Sequence, residues 1–143
     1  MKQKMLSFLL VLTILSVMCI PVFANSENWE FTMKYREVNG KDNKEIHTLS
    51  KGTMEIEGSM WVYKKGSGHS TTPAKVYVYV YEDVKGIDRK VGSFKVQPYS
   101  TLDKAKKFSK DFGKQPAGKY YLIFAKAQDD YNDLKGEGTL KTK

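Results

Sequence analysis

The sequence predicts an all-β domain that folds as an antiparallel β-sandwich of about seven or eight strands. Short segments alternate between apolar and polar residues, turn residues separate them at short intervals, and no long segment has the periodicity of a helix. A small closed β-barrel is the alternative architecture. We find no internal repeat and no linker, so the sequence predicts one domain.

Residues 1–24 have the pattern of a secretory signal peptide. Lys2 and Lys4 precede an uncharged apolar run at residues 5–20, and Val22-Phe23-Ala24 supplies a suitable cleavage site. The run is shorter than the roughly 20 residues that span a bilayer. We therefore expect cleavage before Asn25, secretion of residues 25–143 as a single β domain, and no transmembrane segment in the mature chain.

Cysteine and charge limit the classes of function. The only cysteine, Cys19, lies in the predicted signal peptide, so the mature domain depends on its apolar core rather than on disulfides. Removing Lys2 and Lys4 leaves 22 Lys and Arg against 16 Asp and Glu, a net charge of +6. The positive charge is spread along the chain without a compact basic motif, which favours extracellular polyanions such as wall polymers and predicts no nucleic-acid partner.

The first half of the mature chain contains three predicted strands. Residues 28–36 alternate strictly, and residues 44–50 form a weaker return strand after the tight-turn pair Asn39-Gly40. Residues 53–64 form the third strand, with a bulge or bend expected at Gly58-Ser59. A polar loop follows at residues 64–73.

The organising strand is the segment AKVYVYVYED at residues 74–83. Its valines point one way and its tyrosines the other, and the tyrosines are Tyr77, Tyr79 and Tyr81. Residues 91–97 predict the next strand, and residues 119–127 predict a strand that is apolar on both faces. Both the organising strand and residues 119–127 are expected in mid-sheet, whereas residues 44–50 and the glycine-containing residues 134–143 are expected at sheet edges.

Residues 99–114 fit two structures. The spacing of Leu102, Ala105, Phe108 and Phe112 suits a short helix, and the same residues suit an irregular strand that ends at Phe112-Gly113. We predict a loop with one helical turn.

The segment Pro116-Ala117-Gly118-Lys119-Tyr120-Tyr121-Leu122 resembles the turn and strand near the end of many extracellular immunoglobulin-like and pre-peptidase-type β-sandwich modules. In those modules a Gly-x-Tyr step places a tyrosine at the corner of a sheet. The resemblance implies a sandwich and no particular activity.

Motifs for catalysis are missing from the sequence. His47 and His69 do not fall in a metal-binding spacing, the mature chain has no cysteine, and no Gly-x-Ser-x-Gly motif is present. Glu55 and Glu57 share one face of a strand, and that pattern is typical of a solvent-facing side. The sequence therefore predicts that the protein is not an enzyme.

Two groups of residues remain as candidate sites. Aromatic rows can stack on sugars or contact proteins when they are exposed, and the candidate binding residues are Tyr77, Tyr79, Tyr81, Trp61 and Tyr63. The alternative is that one row faces the core and the other packs under loops, because aromatic residues in strands mostly serve packing. Several oxygen ligands from one loop suit calcium, although their spacing matches no known calcium loop, and the candidates are Asp129, Asp130, Asn132 and Asp133. A charged hairpin tip explains these four residues equally, so the prediction is no cofactor, with calcium as the alternative.

The sequence leaves several functions open. The leading hypothesis is a secreted, non-enzymatic binding or structural module associated with cell wall, glycan or extracellular matrix. Its partner is an anionic wall polymer or glycan, or an extracellular protein. The alternative is a secreted inhibitor or immunity factor that acts through the loop at residues 64–73. A membrane-active protein is a third hypothesis, although the chain lacks an amphipathic helix.

Overall fold

The computed structural model describes residues 25–67 and 72–143, which form two antiparallel sheets packed against each other. The predicted β-sandwich is confirmed, and the structure has about nine strands. The predicted signal peptide at residues 1–24 lies outside the described residues. The strands are β1 Ser26–Met33, β2 Glu37–Asn39, β3 His47–Leu49, β4 Gly52–Lys64, β5 Val76–Glu82, β6 Arg89–Val96, β7 Lys106–Gln115, β8 Gly118–Lys126 and β9 Asp133–Thr142.

Each sheet has a simple strand order. The four-stranded sheet is ordered β1-β9-β4-β7, and the five-stranded sheet is ordered β2-β8-β5-β6. Strand β3 also pairs with β8, on the same side of β8 as β2 but nearer to the start of that strand. Strands β5 and β8 are therefore interior, as the sequence predicts, and β3 lies at an edge, also as predicted.

The core is built from alternate residues of both sheets. In β5 the three valines are fully buried while the tyrosines between them remain partly exposed. In β4 the same period buries Met54, Ile56, Met60 and Val62. Trp29 and Phe31 of β1 cross this core and contact Phe124 of β8, with ring centres 5.2 Å and 4.2 Å away. The alternation that predicted the strands therefore also selects the residues that fill the core.

Strand β9 is not at an edge, contrary to the expectation from its glycines. It lies between β1 and β4. Its glycines face the core beneath the large rings of β1, where Gly138 lies under Trp29 and Gly136 under Phe31. The glycines make room for aromatic rings, so they do not mark a weakly packed edge.

Strand β4 passes through Gly58 without a bulge, which corrects a second expectation. Gly58 pairs with Phe108 on one side and with Gly138 on the other without a register shift. A Cβ at Gly58 would lie 2.7 Å from Cη2 of Trp29 and 2.5 Å from the Glu137 carbonyl oxygen. Close packing against Trp29 thus explains this glycine.

The predicted helical turn in residues 99–114 is wrong, because most of this segment is strand β7. Residues four apart share a face in a strand as well as in a helix, so the spacing of Phe108 and Phe112 could not distinguish the two. Both rings pack against Phe94 of β6, with ring centres 5.5 Å and 6.2 Å away. The exposed side chain of Leu102 takes no part in this packing.

Two glutamates cover main-chain groups where the edges of the two sheets meet. The Glu45 carboxylate accepts a hydrogen bond from the Glu30 backbone N–H of β1 at 3.2 Å. The Glu27 carboxylate accepts one from the Thr48 backbone N–H of β3 at 3.1 Å. Side chains therefore satisfy N–H groups that edge strands leave unpaired.

The Gly-x-Tyr step occupies the corner position that the resemblance implies. Tyr120 is fully buried at the start of β8. Its hydroxyl donates a hydrogen bond to the Pro116 carbonyl oxygen at 2.5 Å, four residues upstream. A tyrosine that bonds back to the preceding turn is typical of β-sandwich corners.

Candidate functional site

Tyrosines form a continuous row on the outer face of the five-stranded sheet. Tyr77, Tyr79 and Tyr81 alternate with the buried valines of β5, and Tyr121 of β8 lies opposite Tyr81. The ring centres follow one another at 6.2 Å, 6.5 Å and 5.5 Å. We call these four residues the tyrosine ladder. The aromatic stripe that the sequence predicts thus lies on the side of the sheet that faces away from the core.

Lysines of the neighbouring strand β6 lie over the tyrosine ladder. Lys95 Nζ is 5.1 Å from the ring centre of Tyr77, and Lys90 Nζ is 4.9 Å from that of Tyr79. An ammonium group within about 6 Å of a ring face is attracted by the ring quadrupole. On the other side of the row, Ile123 of β8 lies opposite Tyr79. The surface therefore offers aromatic rings, aliphatic atoms and positive charge together.

A polar network fixes one end of the tyrosine ladder. The Lys41 ammonium bonds Asp83 at 2.8 Å and Asp88 at 2.6 Å, and the Tyr121 hydroxyl donates to Asp88 at 2.8 Å. Hydrogen bonds from Lys41 and Tyr121 lower the pKa of Asp88. Burial, followed by the bond to Asp88, raises the pKa of Tyr121 to about 12. Asp88 is therefore ionised and Tyr121 is neutral at physiological pH.

The other two predicted aromatic binding residues lie on the opposite face of the molecule. Trp61 and Tyr63 belong to β4, with their side chains partly exposed on the outer face of the four-stranded sheet. Lys135 Nζ lies 4.8 Å from the ring centre of Tyr63. Trp61 borders a shallow depression that Glu30 and Glu137 also line. The five predicted residues therefore belong to two separate surfaces.

A lysine ammonium occupies the position where the sequence suggested calcium. Lys126 Nζ bonds the Asp130 carboxylate at 2.7 Å and also the Asn132 carbonyl oxygen. Both side chains of this ion pair are buried, and Asp130 further accepts the backbone N–H of Ala74 at 2.6 Å. Lys126 thus supplies the positive charge for this carboxylate.

The remaining predicted calcium ligands have separate partners. Asp129 accepts a hydrogen bond from the Tyr131 backbone N–H at 3.0 Å. Asp133 faces Tyr63, and burial together with the charge of Asp133 raises the pKa of the Tyr63 hydroxyl. Within residues 25–67 and 72–143, no group of three or more His, Cys, Asp or Glu side chains is arranged to hold a metal ion.

The carboxylates of Glu55 and Glu57 are paired with lysines on the outer face of β4. Lys143 bonds Glu55 at 2.6 Å, and Lys141 bonds Glu57 at 2.7 Å. The hydrogen bond from Lys143 lowers the pKa of Glu55 to about 2. A general acid in glycoside hydrolysis requires the opposite shift.

His47 is buried at the edge where β3 meets β1. Its Nδ1 lies 3.4 Å from Glu27, and its Nε2 makes no hydrogen bond within the described part of the chain. Burial lowers the pKa of His47, and this effect outweighs the charges of Glu45 and Glu27, which raise the pKa. His69 lies outside the described residues, as does the centre of the loop at residues 64–73.

The folded protein is expected to lose stability as the pH falls below about 6.5. The unfolded chain then binds a proton at His47 that the folded chain resists, so the free energy of unfolding decreases by up to about 1.4 kcal/mol per pH unit. The variant His47→Gln should remove this slope in urea denaturation measured at several pH values. An unchanged slope in the variant would show that other groups dominate the pH dependence.

Sequence reasoning missed three contributors to the face that carries the tyrosine ladder. Tyr121 was predicted within an interior strand, where it is indeed buried, but not beside the other tyrosines. No pattern in the sequence singles out Lys90 and Lys95. Only the pairing of β5 with both β6 and β8 brings them beside the tyrosines. Period-2 alternation indicates which residues of one strand share a face, but it does not indicate which strands are neighbours.

Comparisons with known proteins give no family for this chain. No protein-family model matches it, and no curated protein matches it significantly. Among the described residues, no helix is long and apolar enough to cross a membrane.

Proposed function

We propose that the protein is a secreted, non-enzymatic module that binds cell-wall polymer or glycan through the tyrosine ladder. The observation that supports the proposal is a row of three partly exposed tyrosine rings on the outer face of β5, which the buried Tyr121 continues. Lysine ammonium groups lie over two of the three exposed rings. Flat aromatic rings offer large apolar contact area at low entropic cost, and their hydroxyl edges add hydrogen bonds. The predicted signal peptide is consistent with an extracellular ligand.

The geometry suits an extended ligand better than a compact one. The ring centres of Tyr77, Tyr79 and Tyr81 follow the direction of β5 at steps of 6.2 Å and 6.5 Å. A chain molecule that lies along the strand would contact several rings in succession, and each contact would be modest. Such binding is additive along the polymer and does not require a deep pocket.

The double variant Tyr77→Ala/Tyr79→Ala is expected to bind at least about tenfold more weakly, a loss of about 1.4 kcal/mol. The measurement is co-sedimentation of the mature protein with purified bacterial cell walls, chitin and cellulose. The variant Tyr77→Phe/Tyr79→Phe keeps the rings and should retain most of the binding to the same material.

Tyr35→Ala provides the control, because Tyr35 is 77% exposed and is not one of the four residues of the tyrosine ladder. Its binding should equal that of the unmodified protein. Absence of sedimentation with every material would contradict the proposed function. An equal loss in the control and in the double variant would contradict the role of the tyrosine ladder.

A further inference from the structure

The excess positive charge of the mature chain is concentrated in one part of the sequence. Residues 89–114 contain eight Lys and Arg and two Asp and Glu, a net charge of +6. The other residues of 25–143 contain 14 of each sign, so they are neutral overall. Lys and Arg residues are thus spread along the chain, as the sequence analysis states, but one segment carries the whole net excess.

The fold gathers this segment along one side of the sandwich. Residues 89–114 comprise β6, the connection after it and β7, which are edge strands of different sheets. Phe94 of β6 contacts Phe108 and Phe112 of β7, and Arg89 donates to Gln115 at 2.9 Å. Side chains thus join the two edges, and we call the lysine-bearing side that they form the basic seam.

The lysines of the basic seam have no acidic partners among residues 25–67 and 72–143. Two lie on β6, Lys90 and Lys95. Five lie on or just before β7, and they are Lys104, Lys106, Lys107, Lys110 and Lys114. Within the described residues, none of the seven has a carboxylate oxygen within 4.0 Å, whereas Lys41, Lys126, Lys141 and Lys143 do.

The segment has three other charged residues, of which Arg89 and Asp111 have partners and Asp103 is exposed. Arg89 is paired with Glu82 at 2.7 Å, and the Asp111 carboxylate accepts the Gly113 backbone N–H at 2.6 Å. Lys104 and Lys106 lie together over the ring of Tyr99, at 4.5 Å and 5.1 Å from its centre. Two ammonium groups on one ring without a counter-ion raise the local positive potential.

We propose that the basic seam binds a linear anionic polymer, one whose phosphate or carboxylate groups repeat along the chain. Strands β6 and β7 extend for about 26 Å or more at roughly 3.3 Å per residue, so the lysines are spread along the edges of the sandwich rather than gathered around a pocket. Lys90 and Lys95 lie on the outer face of the five-stranded sheet, and Lys107 lies on that of the four-stranded sheet. Lysine is a compact point charge that needs no fixed ligand geometry, which suits a flexible polyanion. Ionic contacts of this kind weaken steeply with salt.

A polymer fits the basic seam better than a membrane surface does. Interfacial binding needs apolar side chains that enter the lipid beside the charges. The aromatic side chains between the two strands are Phe94, Phe108 and Phe112, and they pack against the core. Tyr99 and Leu102 are exposed, but both lie on the connection between β6 and β7 rather than on the strands. Lys104 and Lys106 lie over the ring of Tyr99.

This inference rests on the proposed function for its polymer ligand, so the tyrosine ladder and the basic seam must be tested with separate variants. Lys106→Gln/Lys107→Gln/Lys110→Gln removes three charges from the basic seam. Lys34→Gln/Lys51→Gln/Lys65→Gln removes the same charge from exposed sites elsewhere, and serves as the matched control. The probes are long-chain inorganic polyphosphate, polygalacturonate and phosphatidylglycerol vesicles, each titrated over a range of sodium chloride concentrations.

We expect the seam variant to bind polyphosphate or polygalacturonate at least about tenfold more weakly at low salt. Its slope of log affinity against log salt should be shallower by about two to three, about one for each lysine removed. The control variant should stay close to the unmodified protein. The stronger of the two polymer probes identifies whether phosphate or carboxylate groups are preferred.

Equal losses in both variants would overturn the basic seam, because net charge alone would then explain binding. Preferential binding to vesicles with the same lysine dependence would overturn the polymer assignment. If only the tyrosine variants lose binding to cell walls, the proposed function stands and the basic seam fails. If only the seam variant loses binding, the basic seam stands without the tyrosine ladder.

Discussion

Asp130→Ala is expected to lower the free energy of unfolding by about 3–5 kcal/mol. The substitution leaves the Lys126 ammonium buried without its counter-ion, although the Asn132 carbonyl oxygen remains beside it. It also removes the acceptor for the backbone N–H groups of Ala74 and Asn132. A buried charge and two buried donors would lose their partner together, and each loss is costly in a low-dielectric interior.

Urea denaturation of the mature protein measures this loss, with Asp129→Ala as the matched control. Asp129 carries the same charge one residue earlier, but it is exposed, and its carboxylate accepts the Tyr131 backbone N–H at 3.0 Å. We expect the control to lose less than about 1 kcal/mol. Similar losses in both variants would show that the Lys126–Asp130 pair contributes little.

The pH dependence provides a second measurement of the same pair. Burial alone would raise the pKa of Asp130, but the hydrogen bonds from Lys126, Ala74 and Asn132 outweigh it and lower the pKa. A carboxylate with a lowered pKa stabilises the fold above its unfolded pKa of about 3.8, and this contribution is lost as the pH falls. The Asp130→Ala variant should therefore lose less stability than the unmodified protein on acidification.

Gly138→Ala is expected to destabilise the fold by more than about 3 kcal/mol, or to prevent folding. An added Cβ would lie 2.6 Å from Gly58 Cα and 2.6 Å from Cζ2 of Trp29, and closer still to the Glu57 carbonyl oxygen. The first and third of these atoms belong to the backbone of the paired strand β4, so they cannot move without disrupting the sheet. Trp29 is itself packed against Phe108 and Phe124.

Gly118→Ala is the matched control in strand β8. Its added Cβ would meet the Glu82 carboxylate at 2.9 Å, the end of a flexible side chain that can move aside. We expect a change within about 1 kcal/mol. Thermal denaturation followed by circular dichroism compares the two variants. A stable Gly138→Ala protein would mean that Trp29 does not pack as closely on β9 as the structure indicates.

The sequence predicted the parts of the fold that depend on one strand at a time. Alternation in β5 correctly placed its valines and its tyrosines on opposite faces, although it left open which face is exposed. The apolar faces of residues 119–127 correctly indicated an interior strand. Strand β7 was missed because Phe108 and Phe112 fit either a helix or a strand. Their common contact with Phe94, which is distant in sequence, decides the structure.

The candidate site was less predictable than the fold, because it depends on which strands are neighbours. Trp61 and Tyr77 lie in similar alternating patterns, yet they belong to opposite outer faces of the sandwich. Tyr121 joins the tyrosine ladder only because β8 pairs with β5 in one register. Finding the basic seam required both the charges of residues 89–114 and the proximity of β6 and β7. The local sequence pattern does not indicate that these two strands lie close together.

The glutamates that cover the edge strands also bear on behaviour at high concentration. Sheet edges with unpaired N–H and C=O groups let strands from other copies of a β-rich protein pair with them, and fibril growth usually starts in this way. Glu45 and Glu27 each place a carboxylate on a backbone N–H group that an added strand would need as a hydrogen-bond donor. A strand from another molecule would have to displace the carboxylate before it could accept a hydrogen bond from that N–H group. This arrangement favours separate molecules at high protein concentration.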